Sequence, residues 1–278
     1  MADFNKKYPN VTQKLLSTAN VKIKKGEKDG YKSFILHFAP AKSSGFEVCA
    51  KSSPQCREFC LNKSGHGLIV KTDGSAPLDL DGNPISMVVA ARIKKTQAFF
   101  EHKSEFMDKL VNEIHNGIKL AAKQNLIPCF RLNGTSDLPF HKIRINYQGK
   151  SYRSIMHAFP QIQFYDYTKI MGSGYPKNYH LTFSKSENNQ NDVIKAVARG
   201  LNVAVVFNVL KGNPLPPRYL KKRVIDGDNA RGDLRFLDPK NSIVGLIAKG
   251  KAVNNFDPNG FVVQVEHEKM IAQLNREL

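Results

Sequence analysis

Apolar positions in this chain come in short bursts separated by polar turn formers. Tyr31–Phe38 reads as a first strand, and seven later runs follow it at Ile127–Leu132, Ile162–Tyr165, Tyr179–Phe183, Asn202–Phe207, Arg223–Ile225, Ile243–Ala248 and Gly260–Val265. Short apolar runs bounded in this way are the mark of buried strands. Val88–Gln124 has helical spacing instead, with Phe99, Phe100, Phe106, Leu110, Ile114, Ile118 and Leu120 on apolar faces, and predicts two helices broken near His102–Ser104. Further helices are predicted at Thr12–Ala19, Asn191–Arg199 and Glu266–Leu278, an extended piece at Gly67–Lys71 and a small hairpin at Leu78–Ile85 around Asp81-Gly82. Asp79, Asp81 and Asn83 have the alternate spacing of a calcium loop, but no twelve-residue loop ending in Glu follows, so the segment reads as a turn.

The later strands share a second feature, a polar group at the C-terminal end. Ile127–Leu132 runs through Arg131 into Asn133, Gly134, Thr135, Ser136 and Asp137, and Ile162–Tyr165 into Asp166, Tyr167, Thr168 and Lys169. Tyr179–Phe183 carries His180, Thr182 and Ser184 on one face, Asn202–Phe207 ends at Asn208, Arg223–Ile225 at Asp226, Gly227 and Asp228, and Ile243–Ala248 at Lys249. Buried parallel strands with chemically capable tips describe a (β/α) barrel, whose sites gather at the C-terminal rim. The expected fold class is therefore α/β, a TIM-barrel-type arrangement, complete or incomplete, with a cysteine-rich metal loop after the first strand. Residues 1–30 read as a basic N-terminal segment and 31–278 as a single barrel-like domain, with the cysteine loop at 45–67. Uneven connections weigh against a full barrel, because roughly ninety residues separate the first two strands while some later linkers are too short for a helix.

Composition narrows the setting. With 278 residues and 41% hydrophobic content the chain can bury a real core. No apolar run approaches the roughly 20 residues that cross a bilayer, and the N-terminus lacks a signal-peptide apolar region, so a cytoplasmic location with reduced thiols and no membrane partner is expected. A formal charge of +18 points to polyanionic partners, with a nucleotide or nucleic acid as the first candidate. Local concentrations of cations occur at Lys22, Lys24, Lys25 and Lys28, at Lys142, Arg144, Lys150 and Arg153, and at Arg218, Lys221, Lys222 and Arg223. No RNA-recognition, KH, zinc-finger or helix-turn-helix signature accompanies them.

Three of the four cysteines, Cys49, Cys56 and Cys60, fall within twelve residues of a loop rich in Ser, Pro, Lys and Gly. C-x6-C-x3-C allows three thiolates to converge, with Cys56 and Cys60 on one side of a short helical turn. Three soft ligands suit a [4Fe-4S] cluster with one open iron, and the main rival is zinc completed by His66. The spacing departs from C-x3-C-x2-C, which counts against S-adenosylmethionine as a cosubstrate. Cys129, in the apolar run Leu126–Phe130, reads as a packing residue.

Cys49…Cys56…Cys60-Leu61-Asn62, Ala91–Thr96, Arg131–Asp137, Phe164–Lys169, Tyr179–Ser184, Val224–Asp228, Arg235–Pro239 and Gly245–Gly250 together resemble the phage "gene product 88" family, over about residues 35 to 265. The resemblance implies a phage-encoded protein in a bacterial host cytoplasm and makes the cysteine triplet part of the family's pattern. It implies no reaction.

The residues themselves suggest roles. Asp137, Asp166 and Asp228 are candidate acid/base groups and His180 a candidate proton carrier. Arg131 and Lys169 could hold phosphate or carboxylate, Asn133 and Lys249 could contact substrate, and Tyr165, with Tyr167 or Tyr179, could stack on a base. The expected function is an iron–sulfur enzyme acting on a nucleotide or nucleic acid. The alternative is a zinc-stabilised basic nucleic-acid-binding protein without catalysis; zinc-dependent hydrolysis is disfavoured because three thiolates weaken the metal as a Lewis acid.

Overall fold

A computed structural model describes residues 2–9, 11, 14–18, 21–60, 62, 65–210, 212–228, 232–257 and 259–265, with the backbone alone at 21, 22, 65 and 66. Helices α1 (Ala2–Lys7) and α2 (Val21–Glu27) flank β1 (Leu16–Ser17) and lead to β2 (Tyr31–Leu36). There follow α3 (Pro54–Glu58), α4 (Met87–Glu101), α5 (Lys103–Lys123), β3 (Ile127–Arg131), β4 (Ile145–Tyr147), β5 (Lys150–Tyr152), α6 (Ile155–Ala158), β6 (Gln163–Thr168) and β7 (Tyr179–Ser184). The chain continues with α7 (Gln190–Ala198), β8 (Val203–Asn208), β9 (Arg218–Tyr219), β10 (Lys222–Asp226), β11 (Ile243–Ile247) and β12 (Val262–Gln264).

The barrel expected from the strand pattern does not form. Ten strands make an open sheet in the order β1-β2-β3-β6-β7-β8-β11-β10-β9, with β12 added against β8. Closure fails for two reasons. The outermost strands, β1 and β9, are two-residue pieces that run antiparallel to β2 and β10. In addition, β11 sits between β8 and β10, which breaks the sequential winding a barrel needs. The remaining assigned pairings, β2 with β3, β3 with β6 and β7 with β8, are parallel. This mixed α/β sheet still carries the C-terminal ends of its parallel strands on one side, where ligands of open α/β sheets bind.

Contacts divide the chain into two compact units: Met1–Ala50, Cys60–Asp166 and Ser173–His180 in the first, and Lys51–Phe59, Tyr167–Gly172 and Leu181–Leu278 in the second. In the first unit the expected helix break falls at His102, between α4 and α5. Phe106, Leu110, Ile114, Gly117 and Ala121 form the buried face of α5. Gly117 permits the close approach, because a Cβ there would lie 3.1 Å from the Phe34 ring and 3.2 Å from that of Phe130, which stack on each other at 4.9 Å. Phe38, Phe99, Phe106 and Phe140 pack as a second aromatic layer. Residues 1–30 contribute to this core through Phe4, Tyr8, Val11, Leu15 and Ile23, all buried. The predicted helix over Thr12–Ala19 is replaced, where the chain is described, by the strand Leu16–Ser17; Thr12, Gln13 and Ala19 lie outside the described residues, as does the predicted helix Glu266–Leu278.

Phe183, Val193, Val203, Val205, Phe207 and Ile243 form the core of the second unit. Its largest wholly buried side chain is Arg235. Gly65–Leu68 is a 3-10 turn in place of the extended piece expected at Gly67. Leu78 and Pro84 form the expected hairpin as a single bridge, closed by the Asp79 carboxylate accepting from the Asp81 and Asn83 N–H groups. None of the described helices is long and apolar enough to cross a membrane.

Candidate acid–base site

Strand β3 delivers Arg131 to its C-terminal end, and the chain then folds into a stapled loop. Gly134 allows this: its N–H donates to the Leu36 carbonyl at 2.9 Å, and a Cβ would lie 2.7–2.8 Å from His37, Ile35 and that carbonyl. Asn133 holds the loop shut, its Oδ1 accepting from Ser136 Oγ at 2.7 Å and Leu138 N at 2.8 Å, while its Nδ2 donates to the Leu138 carbonyl. The Asn133 backbone N–H is left to donate to Asp166 Oδ1 at 2.8 Å.

Asp166 is 1% exposed. Its second oxygen accepts from the Tyr179 hydroxyl at 3.0 Å, and Arg131 Nε lies 3.8 Å from the first. Burial dominates and pushes the carboxyl up from 3.8 to about 7, against the opposing pull of Arg131, the Asn133 N–H and Tyr179. Tyr179 is driven well above the usual phenol value by its own burial and by Asp166, so it stays protonated as a donor. Tyr179 joins this pair to a cluster of aromatic rings. His141 meets Tyr175 edge-on at 4.8 Å and Tyr179 at 6.0 Å, and the two tyrosines lie 6.2 Å apart. Burial and neighbouring Lys142 lower the His141 pKa, which keeps the imidazole neutral, while burial and Asp137 raise Tyr175. Asp137 thus acts electrostatically on Tyr175, Tyr179 and Asp166 together. A carboxyl poised near neutrality beside a phenol donor is an arrangement that can exchange protons at physiological pH.

The family model for Gene product 88 matches residues 12–264. The chain belongs to the Gene product 88 family, a phage gene-product family. No curated protein and no solved structure matches it.

In this Gene product 88 chain the other sequence-predicted residues separate into groups. Arg131, Asn133, Asp137 and Asp166 are brought together. Tyr165 is wholly buried and its hydroxyl donates to Ser33 Oγ at 3.2 Å, because it stands next to Asp166 on the strand and points to the opposite face. His180 is likewise on the face opposite Tyr179. In the second unit, Asp228 and Lys249 form an ion pair at 2.7 Å, and Lys169 Nζ lies 6.0 Å from the Phe261 ring centroid. His141 and Tyr175 were not anticipated. His141 lies in the 3-10 turn Phe140–Lys142 and Tyr175 in an irregular segment, where no strand alternation marks which way a residue points.

The cysteine loop does not form the metal loop expected after the first strand. Ser53 caps α3 by accepting the Cys56 N–H, Pro54 opens the helix, and Ser53 Oγ donates to Glu187, which also accepts the Gln55 N–H. Cys56 is thereby held within a helix of the second unit. Cys49 and Cys60 belong to the first, where the Cys49 thiol donates to the Thr135 carbonyl at 3.7 Å and Cys60 lies within electrostatic reach of Arg92. None of the three is in a disulfide and all are half-buried, and among the described residues no three His, Cys, Asp or Glu side chains form a group able to hold a metal. His66's side chain lies outside the described residues. Cys129 is a core residue, 3.2 Å from Ser33 Oγ.

Proposed function

We propose that the chain is an enzyme acting on a nucleotide or nucleic acid, with Tyr179 as the group that meets the substrate and Asp166 as the proton reservoir behind it. The reading is carried by the buried carboxyl poised near pH 7 and hydrogen-bonded to a phenol that packs beside the His141 ring. A base would stack against His141 and Tyr175, and the Tyr179 hydroxyl, which donates to Asp166, would accept from it. As Tyr179 Oη takes a proton from the substrate, its own proton passes to Asp166 Oδ2, leaving the phenol neutral throughout. Arg131 stabilises the carboxylate before transfer.

Purified protein incubated with a panel of nucleotides and single-stranded oligonucleotides, with products read by mass spectrometry, is expected to show turnover governed by one ionisation near pH 7. Tyr179→Phe and Asp166→Asn should each lower it about 100-fold or more. A second reading, a basic binding protein without catalysis, is supported by the near-complete burial of Asp166. No turnover of any substrate by the wild type, with binding retained, would leave that reading standing; turnover unchanged in both variants would remove Asp166 and Tyr179 from their roles.

The iron–sulfur proposal rests on the cysteine spacing alone, and the proton chemistry of Asp166 and Tyr179 is independent of it. It requires about four irons per chain after anaerobic purification, lost on Cys56→Ser. Iron-free protein prepared without oxygen would end it.

A further inference from the structure

We infer that the cleft between the start of α5 and the β4–β5 hairpin is a track for the phosphodiester backbone of single-stranded nucleic acid. The inference deepens the nucleotide or nucleic-acid reading of the neighbouring site and makes its substrate a strand. The cleft has a volume of about 440 Å³ and is lined by Lys103, Ser104, Arg144, Asn146 and Ser151, with Asp108 as its single carboxylate.

The hairpin is built to present charge. Ile145 is buried while Arg144 and Asn146 are exposed, as strand alternation requires. Its ladder pairs Ile145 with Tyr152 and Asn146 with Ser151, so Ser151 shares the outward face of Asn146. The chain adds a cation on each side of the ladder, Arg144 just before β4 and Arg153 just after β5. Between Asp137 and Asp166 the chain has no Asp or Glu, while Lys142, Arg144, Lys150 and Arg153 all fall there and all are exposed. A phosphate backbone is the partner that these exposed cations, beside a cleft with a single carboxylate, complement.

The neighbouring aromatic rings favour a single strand. Arg144 follows His141 by three residues, so the cationic face begins no more than about 10 Å along the chain from the ring cluster. An unpaired base can stack on those rings while its neighbours' phosphates lie on the hairpin; in a duplex the bases are already stacked and paired.

The test is fluorescence anisotropy with labelled oligothymidylate and oligouridylate across a salt series, using the full chain. Wild type should bind both strands with a steep salt dependence. Arg144→Glu with Arg153→Glu should weaken binding more than about tenfold and reduce the log–log salt slope by about 1.4, two contacts at roughly 0.7 each for single strands. The milder Arg144→Gln with Arg153→Gln should give an intermediate loss, and far-UV circular dichroism of both variants should match wild type. Asp166→Asn should bind strands as wild type does. If the double glutamate variant binds undiminished, if a mononucleotide binds as tightly as the strand, or if the duplex binds better, the inference is wrong. Should turnover be unaffected in Asp166→Asn while the hairpin variants lose strand binding, the track stands and the acid–base reading falls.

Discussion

Asp166→Asn should remove a loss of stability of roughly 4 kcal/mol that the wild-type protein undergoes between about pH 4 and pH 7. The figure follows from a carboxyl raised from 3.8 to about 7, roughly three units at about 1.4 kcal/mol each. Because the folded-state pKa is raised, the contribution is fully present below the unfolded value and declines as pH rises through the folded one. In that window the unfolded chain gives up its proton while the native state retains it, so rising pH favours unfolding. Asparagine keeps an oxygen for the Asn133 N–H and cannot ionise. Urea unfolding at pH 5 and pH 8 should therefore show a clear decline in wild type and a much flatter response in the variant. Equal pH slopes would mean that Arg131 and the two hydrogen bonds, rather than burial, control the carboxyl. A protein that holds an acid in so costly a state at neutral pH gains something for it, and proton transfer is the use to which raised carboxyls are most often put.

How much of this was legible beforehand depended on local periodicity. The helix break at His102 and the β3 and β6 runs could be read because a 3.6-residue stripe and a two-residue alternation are local signals. Asp166 was legible for the same reason, as the first acid after the buried Phe164 and Tyr165. Tyr165 was misassigned by that alternation: adjacent to Asp166, it had to face the other way. The strand tips were read correctly as polar, yet barrel closure could not be judged, since it depends on which strands meet at the edges. The insertion of β11 between β8 and β10 leaves no local trace. The N-terminal thirty residues looked like a basic tail because seven of them are lysines. Phe4, Tyr8, Val11 and Leu15 nevertheless recur at three- to four-residue spacing, and all four are buried. For the cysteines, spacing showed what the chain could reach but not what would hold it. Ser53, Pro54 and Glu187 commit Cys56 to a capped helix through a contact 134 residues away in sequence.

Arg235→Met should destabilise the protein by about 3–5 kcal/mol, a large effect for a position outside the acid–base site. Arg235 is wholly buried in the second unit. Its Nη1 lies 3.3 Å from Asp238 Oδ2, its Nε 4.0 Å from Asp233 Oδ1, and its Nη2 donates to the Gly232 carbonyl at 3.0 Å. Asp233 also accepts from the Tyr167 hydroxyl at 2.9 Å. Methionine fills much of the same volume and favours a buried setting, so the loss cannot be assigned to a cavity. It comes from two carboxylates left in a dry interior without their cation. The cost should therefore shrink when one orphaned charge is neutralised: Arg235→Met with Asp238→Asn should be more stable than Arg235→Met alone, although Asp238→Asn by itself weakens the wild type. Urea unfolding of the three variants at neutral pH reads the coupling directly. If the single Arg235→Met change costs less than about 1 kcal/mol, or if adding Asp238→Asn recovers nothing, the carboxylates take up protons or water more readily than their burial implies, and the ion cluster is not what holds this part of the second unit together.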